Sequence, residues 1–184
     1  MPSILLWILW IFVSILGLSV GLTIGINLMG ADWTFRPLFV LVGLTISGLL
    51  IGLGQWVLLR TRMKQSWRWI PATALSLPLG ILIGFLVRNN LIIMSTAAGL
   101  FAGVLQWIAL DRKVESPFRW IVVSVLSWGI GIPTALLIFD AYLWNTDFGF
   151  GNYPNLGILI GSIVGTINGA FVDSVLVNSK HDSL

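Results

Sequence analysis

The chain has 184 residues, of which 57% are hydrophobic and only 9% are charged, and its mean hydropathy is +0.98. Soluble proteins carry about a quarter charged residues, so this composition excludes a soluble globular protein and indicates an integral membrane protein. The net charge of +3 does not indicate nucleic-acid binding, because most basic residues lie in two short connections between apolar segments. The absence of cysteine excludes disulfides, thiolate metal sites and a cysteine nucleophile.

Six apolar segments follow one another, each about long enough to cross a hydrocarbon core of about 30 Å as a helix. The predicted spans are residues 4–28, 38–59, 69–87, 91–110, 120–142 and 156–177. The first segment has no basic residue before it and no Ala-x-Ala-like cleavage site, so we interpret it as a retained span. We predict one membrane domain, residues 1–177, and a cytoplasmic tail, residues 178–184.

Lysine and arginine near the ends of spans predict the orientation, because they are retained on the cytoplasmic side. Only Arg36 and Arg88 lie at one end of the predicted bundle. The other end has Arg60, Arg62, Lys64, Arg68, Arg112, Lys113, Arg119 and Lys180. We therefore expect both termini in the cytoplasm of a bacterial plasma membrane or the equivalent side of a thylakoid.

Spans two, four and six end in a common pattern of two glycines, an amide and a charged residue. The pattern comprises Gly48, Gly52, Gln55 and Arg60; Gly99, Gly103, Gln106 and Asp111; and Gly161, Gly165, Asn168 and Asp173. The second copy follows the first by a constant shift (106 − 55 = 51), and the third follows the second by another (168 − 106 = 62). Repetition at a constant shift indicates one structural unit that is used several times.

Spans one, three and five share a second pattern of a tryptophan, a hydroxyl and a glycine. It comprises Trp10, Ser14 and Gly21; Trp69, Thr73 and Gly80; and Trp120, Ser124 and Gly131. We therefore predict an all-α fold of six transmembrane helices with pseudo-three-fold symmetry, built from three two-helix repeats. Spans one and six would close the ring, with Gly21 or Gly25 near Gly161 or Gly165.

The glycines predict how the helices associate. Lipid tails are as apolar as leucine, so helices in a membrane are held together by the close packing of small residues. The predicted packing positions are Gly48, Gly52, Gly99, Gly103, Gly161, Gly165, Gly80, Gly84 and Gly131. They favour a compact bundle without a wide pore.

The amides Gln55, Gln106 and Asn168 follow the glycine pairs on the same helix face and lie within the hydrocarbon. A polar side chain at this depth is disfavoured unless it is hydrogen-bonded, so we interpret the amides as bonds between helices. The alternative is a polar cluster on the pseudo-axis that forms a narrow site or coordinates a pigment magnesium.

The charged residues Arg60, Asp111 and Asp173 follow each amide by five positions, a rotation that places them about 140° from the amide face. We interpret them as interfacial anchors or contacts between hairpins, with a ring of charges as the alternative. Trp69 and Trp120 begin spans, and we interpret them as part of an aromatic belt at the membrane surface.

The Gly-x-x-x-Gly-x-x-Gln-Trp-x-x-Leu-Arg stretch that ends at Arg60, with its copy from Gly99 to Asp111, resembles a group of small multi-pass bacterial membrane proteins. Many members of that group are cyanobacterial. The resemblance covers spans two to six and implies no particular function. The chain departs from the group's pattern at Asp111, in place of Arg, and at Asn168-Gly169, in place of Gln-Trp.

The sequence contains no Ser/His/Asp set, no phosphate-binding loop and no spacing typical of metal ligands, so it favours a protein that is not an enzyme. We expect an accessory, assembly or stabilising subunit of a membrane complex. Its expected partners are the lipid bilayer and other membrane-protein subunits or pigments, and the pattern indicates no specific cofactor. The alternative is a transporter or channel for a small solute or ion along the pseudo-three-fold axis.

Overall fold

The computed structural model describes residues 3–29, 36–60, 66–87, 90–109, 117–142 and 153–176. In these ranges all regular structure is helical. The α-helices are α1 (Ser3–Met29), α2 (Arg36–Leu59), α3 (Trp69–Leu86), α4 (Leu91–Ala109), α5 (Pro117–Tyr142) and α6 (Tyr153–Leu176). Each contains a segment long and apolar enough to cross a membrane. The predicted all-helical organisation and the six apolar spans are therefore confirmed, whereas the tail, residues 178–184, lies outside the described residues.

The helix ends differ from the predicted spans where polar residues continue a helix beyond its apolar segment. Helices α5 and α6 each begin three residues before the predicted span, at Pro117 and Tyr153. Proline is favoured in the first helical turn because its missing N–H would have no partner there. Helix α4 begins after Asn90, whose side-chain Oδ1 accepts hydrogen bonds from the backbone N–H groups of Ile92 and Ile93.

Every helix packs against the helices before and after it in the sequence, and α1 also packs against α6. Two clusters contain most of the buried apolar side chains. One includes Leu18, Leu44, Leu77, Trp128 and Ile160. The other comprises Leu6, Trp10, Leu59, Trp69, Trp120 and Val172. The second cluster lies toward the end of the bundle where α2 ends and α3 begins, which we call the basic end.

The glycine pairs of α2, α4 and α6 place these helices directly against the backbone of a neighbour. A Cβ atom added at the first glycine of each pair would lie 2.5–2.6 Å from a backbone atom: Gly48 from Thr73, Gly99 from Ser124 and Gly161 from Ile15. At the second glycine, the nearest Cα atoms would be 2.7–3.0 Å away: Gly52 from Ile70, Gly103 from Ile121 and Gly165 from Ile11. Any larger side chain would force the helices apart, so these contacts require glycine.

The glycines of α1 face α2 and not α6. A Cβ atom added at Gly25 would lie 2.7 Å from the Cα of Gly43, and Gly21 lies against the backbone of Ser47. The expectation that Gly21 or Gly25 lies near Gly161 or Gly165 is therefore wrong. Helix α1 packs on two neighbours with two different faces, and its own glycines lie on the face toward α2.

The corresponding glycines of α3 and α5 make two kinds of contact. Gly80 lies against the backbone of Ala98 in α4. Gly84 faces the side chain of Met94, and Gly131 in α5 faces the side chain of Val164, whose Cγ2 would lie 2.7 Å from an added Cβ. At Gly131, α5 and α6 therefore meet through a side chain and not backbone to backbone.

Candidate functional site: a layer of amides and tryptophans

The three repeated amides line one small cavity inside the bundle. Gln55, Gln106 and Asn168 are 5%, 5% and 7% exposed. Each follows its glycine pair by three residues, so it lies on the same face of its helix. Because the glycines bring that face against a neighbouring helix, the amide is buried between helices.

Three tryptophans pack against one another beside the amides. The ring centroids of Trp10, Trp69 and Trp120 are 5.8–6.5 Å apart, and the rings are at most 2% exposed. Two of the three pairs meet edge to face, an arrangement favoured by the charge distribution of aromatic rings. The interpretation of Trp69 and Trp120 as part of a surface aromatic belt is therefore wrong, because both side chains lie in the core.

The first two amides each accept a hydrogen bond from the tryptophan of the next helix. The indole Nε1 of Trp69 donates to Oε1 of Gln55 at 2.6 Å. The indole Nε1 of Trp120 donates to Oε1 of Gln106 at 3.1 Å. These bonds join α2 to α3 and α4 to α5, and they allow a buried indole N–H and a buried amide to satisfy each other.

Gln106 also makes a second bond. Its Nε2 donates to Oγ1 of Thr73 at 3.0 Å, and that hydroxyl donates in turn to the carbonyl oxygen of Trp69 at 2.9 Å. One amide therefore connects α3, α4 and α5.

The third amide has a different environment. Oδ1 of Asn168 accepts a hydrogen bond from Oγ of Ser127 at 2.9 Å, a bond between α6 and α5. The residues that correspond to the partners of Gln106 are Trp10 and Ser124. Among the described residues, Trp10 Nε1 and Ser124 Oγ are buried without a hydrogen-bond partner.

The cavity that the amides share has a volume of about 20 Å³. A second cavity of about 40 Å³ lies on the side away from Trp10, Trp69 and Trp120. Its lining includes Leu18, Leu44, Leu77, Trp128 and Ile160. The polar layer therefore lies between an aromatic cluster and an apolar layer. All three amide oxygens accept hydrogen bonds from protein groups. The space is far smaller than a pigment macrocycle.

The predicted interfacial charges are described only in part. Arg60 is exposed, and its guanidinium carbon lies 5.9 Å from the ring centroid of Trp56, within the range of a cation–π contact. This contact fits an anchor at the basic end. Asp111 and the side chain of Asp173 lie outside the described residues, so the ring of charges stays a prediction.

Comparisons with family models, curated proteins and solved structures give no match. What the layer can do follows from its chemistry. The polar side chains that line the cavity are neutral amides and hydroxyls. They can hold helices together, and they can bind a neutral hydrogen-bonding molecule about as large as water.

The repeated motif predicts the buried amides but does not by itself identify their tryptophan partners. The signal was present in the spacing, because Trp69 follows Gln55 by 14 residues and Trp120 follows Gln106 by 14. A constant spacing across a short connection places the two side chains at the same depth in adjacent helices. No such spacing identifies Ser127 as the partner of Asn168.

Proposed function

We propose that the chain is a non-enzymatic accessory or stabilising subunit of a membrane complex. The supporting observation is that its interior is used for packing. Three mutually packed tryptophans fill the core beside the amide layer, and the adjoining cavities measure only about 20 and 40 Å³. Partners would therefore bind at the outer surface.

The outer surface is strongly apolar. Large side chains that are exposed along the helices include Phe12, Leu53, Phe85, Leu100, Phe118 and Leu137. An open groove of about 450 Å³ lies beside the start of α4 and the second half of α5, with apolar walls and with Asn90 and Asp140 among its lining residues. Such a surface suits lipid chains, a pigment or the helices of another subunit.

Purification in a mild detergent tests this proposal. We expect stoichiometric partner subunits by mass spectrometry, or a bound lipid or pigment that survives washing and is detected by mass spectrometry or an absorption spectrum. A tagged, unrelated six-span protein from the same membrane is the control. A colourless protein that runs alone, without bound lipid, would contradict the proposal.

We also propose that the six helices form a closed pseudo-three-fold ring. The support is that the glycine contacts of α2 with α3 recur between α4 and α5 and between α6 and α1. The resemblance of the repeated motif to small multi-pass bacterial proteins agrees with a repeat-based fold. Seen this way, α6 and α1 form one hairpin that is divided between the two ends of the chain.

Crosslinking tests the ring. The sequence contains no native cysteine, so only the introduced cysteines can react. Ile15 adjoins Gly161, so we expect the pair Ile15→Cys and Ser162→Cys to react with a short bis-thiol reagent. The positive control is the corresponding pair in α4 and α5, Leu100→Cys and Val125→Cys. The negative control combines Ile15→Cys with Leu100→Cys. A reactive positive control together with an unreactive test pair would contradict the ring.

We propose that both termini are cytoplasmic, in a bacterial plasma membrane or a thylakoid. The support is that Arg60, Arg68 and Arg119 are exposed near the basic end, where α2 ends and α3 and α5 begin. In intact cells, a membrane-impermeant maleimide should label Asp147→Cys and leave Lys180→Cys unlabelled until the cells are opened. Labelling of Lys180→Cys but not of Asp147→Cys in intact cells would show the opposite topology.

One observation favours a second candidate function, a conduit for a small solute or ion. Gln55, Gln106 and Asn168, from three different helices, border one cavity inside the bundle. In proteoliposomes, osmotic water flux and proton flux would then fall when Gln55 and Gln106 are both changed to leucine. The outward-facing variant Leu100→Ala is the control. Fluxes equal to those of empty liposomes would rule out a conduit for either species.

A further inference from the structure

We propose that the bundle opens between α5 and α6, at the interface where Gly131 faces Val164. We call this interface the seam. Opening it would join the apolar cavity inside the bundle to the surrounding lipid. The inference concerns a motion of the chain, so it holds for either of the two proposed functions.

The seam lacks the backbone contact that the two corresponding interfaces have. A Cβ atom added at Gly21 would lie 2.6 Å from the Cα of Ser47, and one added at Gly80 would lie 2.5 Å from the Cα of Ala98. At Gly131 the nearest backbone atom of α6, a nitrogen, would be 3.7 Å away. Among the described parts of the helices, α5 and α6 also have the least extensive contact of the neighbouring pairs. Helix α6 therefore lies farther from α5 than α2 lies from α1 or α4 from α3.

The size of one residue in α6 explains the difference. The shifts that relate the repeats make Ser47, Ala98 and Ile160 correspond (98 − 47 = 51 and 160 − 98 = 62). Serine and alanine are small enough to let a glycine reach the backbone behind them, whereas isoleucine is not. Ile160 is buried and lines the apolar cavity, so its side chain does not turn out toward the lipid. It therefore keeps α6 from approaching α5.

An interface of this kind is the easiest one to separate. Helices in a membrane are held together mainly by the close packing of small residues, and local opening occurs where packing is weakest. A hydrogen bond from Ser127 to Asn168 does cross the seam. Since Ser127 precedes Gly131 in a helix that starts at the basic end, this bond holds the half of the seam nearer that end. Opening would therefore begin in the other half.

The cavity of about 40 Å³ lies directly behind the seam. Its lining includes Trp128 and Ile132 from α5 and Ile160 from α6. Separation of the two helices would thus expose apolar side chains to lipid, which costs little in a membrane because lipid tails are equally apolar. In water the same opening would be opposed by the hydrophobic effect.

Two isoleucines form a matched pair of probes for this motion. Ile132 follows Gly131 and Ile81 follows Gly80; both pack against the core and line the same cavity. In lipid nanodiscs, relaxation dispersion of ¹³C-labelled isoleucine methyls detects exchange on the microsecond to millisecond timescale. We expect the exchange contribution at Ile132 to exceed that at Ile81 about threefold or more, because the weaker interface opens more often. Ile163, on the α6 side of the seam, should exchange at the same rate as Ile132, since one motion moves both.

Two substitutions test the cause. Ile160→Ala should let α6 approach α5 and lower the exchange at Ile132 to the level of Ile81. Ala98→Ile should keep α4 away from α3 and raise the exchange at Ile81, so either variant is informative if the other does not fold. Ile158→Ala, in α6 but 43% exposed, is the control and should alter neither signal.

Equal exchange at Ile81 and Ile132 in the wild type would overturn the proposal. Different exchange rates at Ile132 and Ile163 would do the same, because they would indicate separate side-chain motions. An unchanged Ile132 signal in folded Ile160→Ala, or an unchanged Ile81 signal in folded Ala98→Ile, would also contradict it.

Discussion

The pair α4–α5 and the pair α6–α1 make the same backbone contact but different polar contacts. In both, the second glycine of the pair lies against the backbone of an isoleucine, Gly103 on Ile121 and Gly165 on Ile11. In α4–α5 the amide then bonds the tryptophan of the partner helix, whereas in α6–α1 it does not. The hydrogen bond between α1 and α6 runs instead from Trp7 Nε1 to the carbonyl oxygen of Thr166 at 3.0 Å. Close approach of the helices and the amide–tryptophan bond are therefore separable features of this chain, and substitutions can test each one.

The largest effect is expected from breaking the backbone contact. Gly99→Ala would place a Cβ 2.5 Å from the carbonyl oxygen of Ser124, and a backbone atom cannot move away as a side chain can. We expect the free energy of unfolding to fall by about 2 kcal/mol, measured by thermal or steric-trap unfolding in lipid. Gly161→Ala should cost a similar amount, since its contact is equivalent.

Gly129→Ala is the matched control for that comparison. Its added Cβ would lie 3.2 Å from the side-chain Cγ2 of Thr96, which can yield. A small effect at Gly129 with large, similar effects at Gly99 and Gly161 would show that α4–α5 and α6–α1 depend on the same backbone contact. A negligible cost at Gly161 alone would mean that α6–α1 is not equivalent to α4–α5.

An intermediate effect is expected from removing the amides. Gln106→Leu removes two hydrogen bonds between helices and leaves Trp120 Nε1 buried without its acceptor. Asn168→Leu removes one such bond. With hydrogen bonds in membranes worth about 0.6–1.7 kcal/mol each, we expect a loss of about 1–2 kcal/mol for Gln106→Leu and about half that for Asn168→Leu. Equal losses would show that Gln106 and Asn168 contribute equally to stability.

Replacing the indoles by phenyl rings tests the same bonds from the donor side, where the smaller ring also costs some packing. Trp120→Phe keeps an aromatic ring but removes the donor to Gln106, and we expect a loss of about 1 kcal/mol beyond the change in ring size. Trp10→Phe removes an N–H that bonds no described protein group. The free energy of unfolding should therefore fall less for Trp10→Phe than for Trp120→Phe. Both losses are measured by chemical unfolding in one detergent. A larger loss at Trp10 would indicate a direct protein partner there.

The apolar spans and the repeated positions could be predicted from the sequence because each depends on one local property. A span must be long enough to cross hydrocarbon, and residues such as Gln55 and Gln106 recur at one shift with the same glycine spacing. Hydropathy marks the apolar segment and not the helix end. The first turns at Pro117 and Tyr153 were therefore missed.

The burial of Trp69 and Trp120 could not be predicted from either residue alone. A tryptophan at the start of a span is equally compatible with the membrane surface and with the core. The choice depends on whether another helix supplies an acceptor at the right depth, which here is Gln55 or Gln106. The facing of Gly21 and Gly25 was missed for a similar reason, since a glycine pattern does not say which of two neighbours it contacts.

The contact between α1 and α6 has a consequence for biosynthesis. Helix α1 leaves the ribosome before the other five described helices, yet the glycines that pack on its Ile11 and Ile15 belong to α6, the last of the six. Until α6 has been made, that face of α1 must be covered by lipid or by an insertion factor. Ribosome-bound chains that end before α6 would therefore be the forms most dependent on such a chaperone.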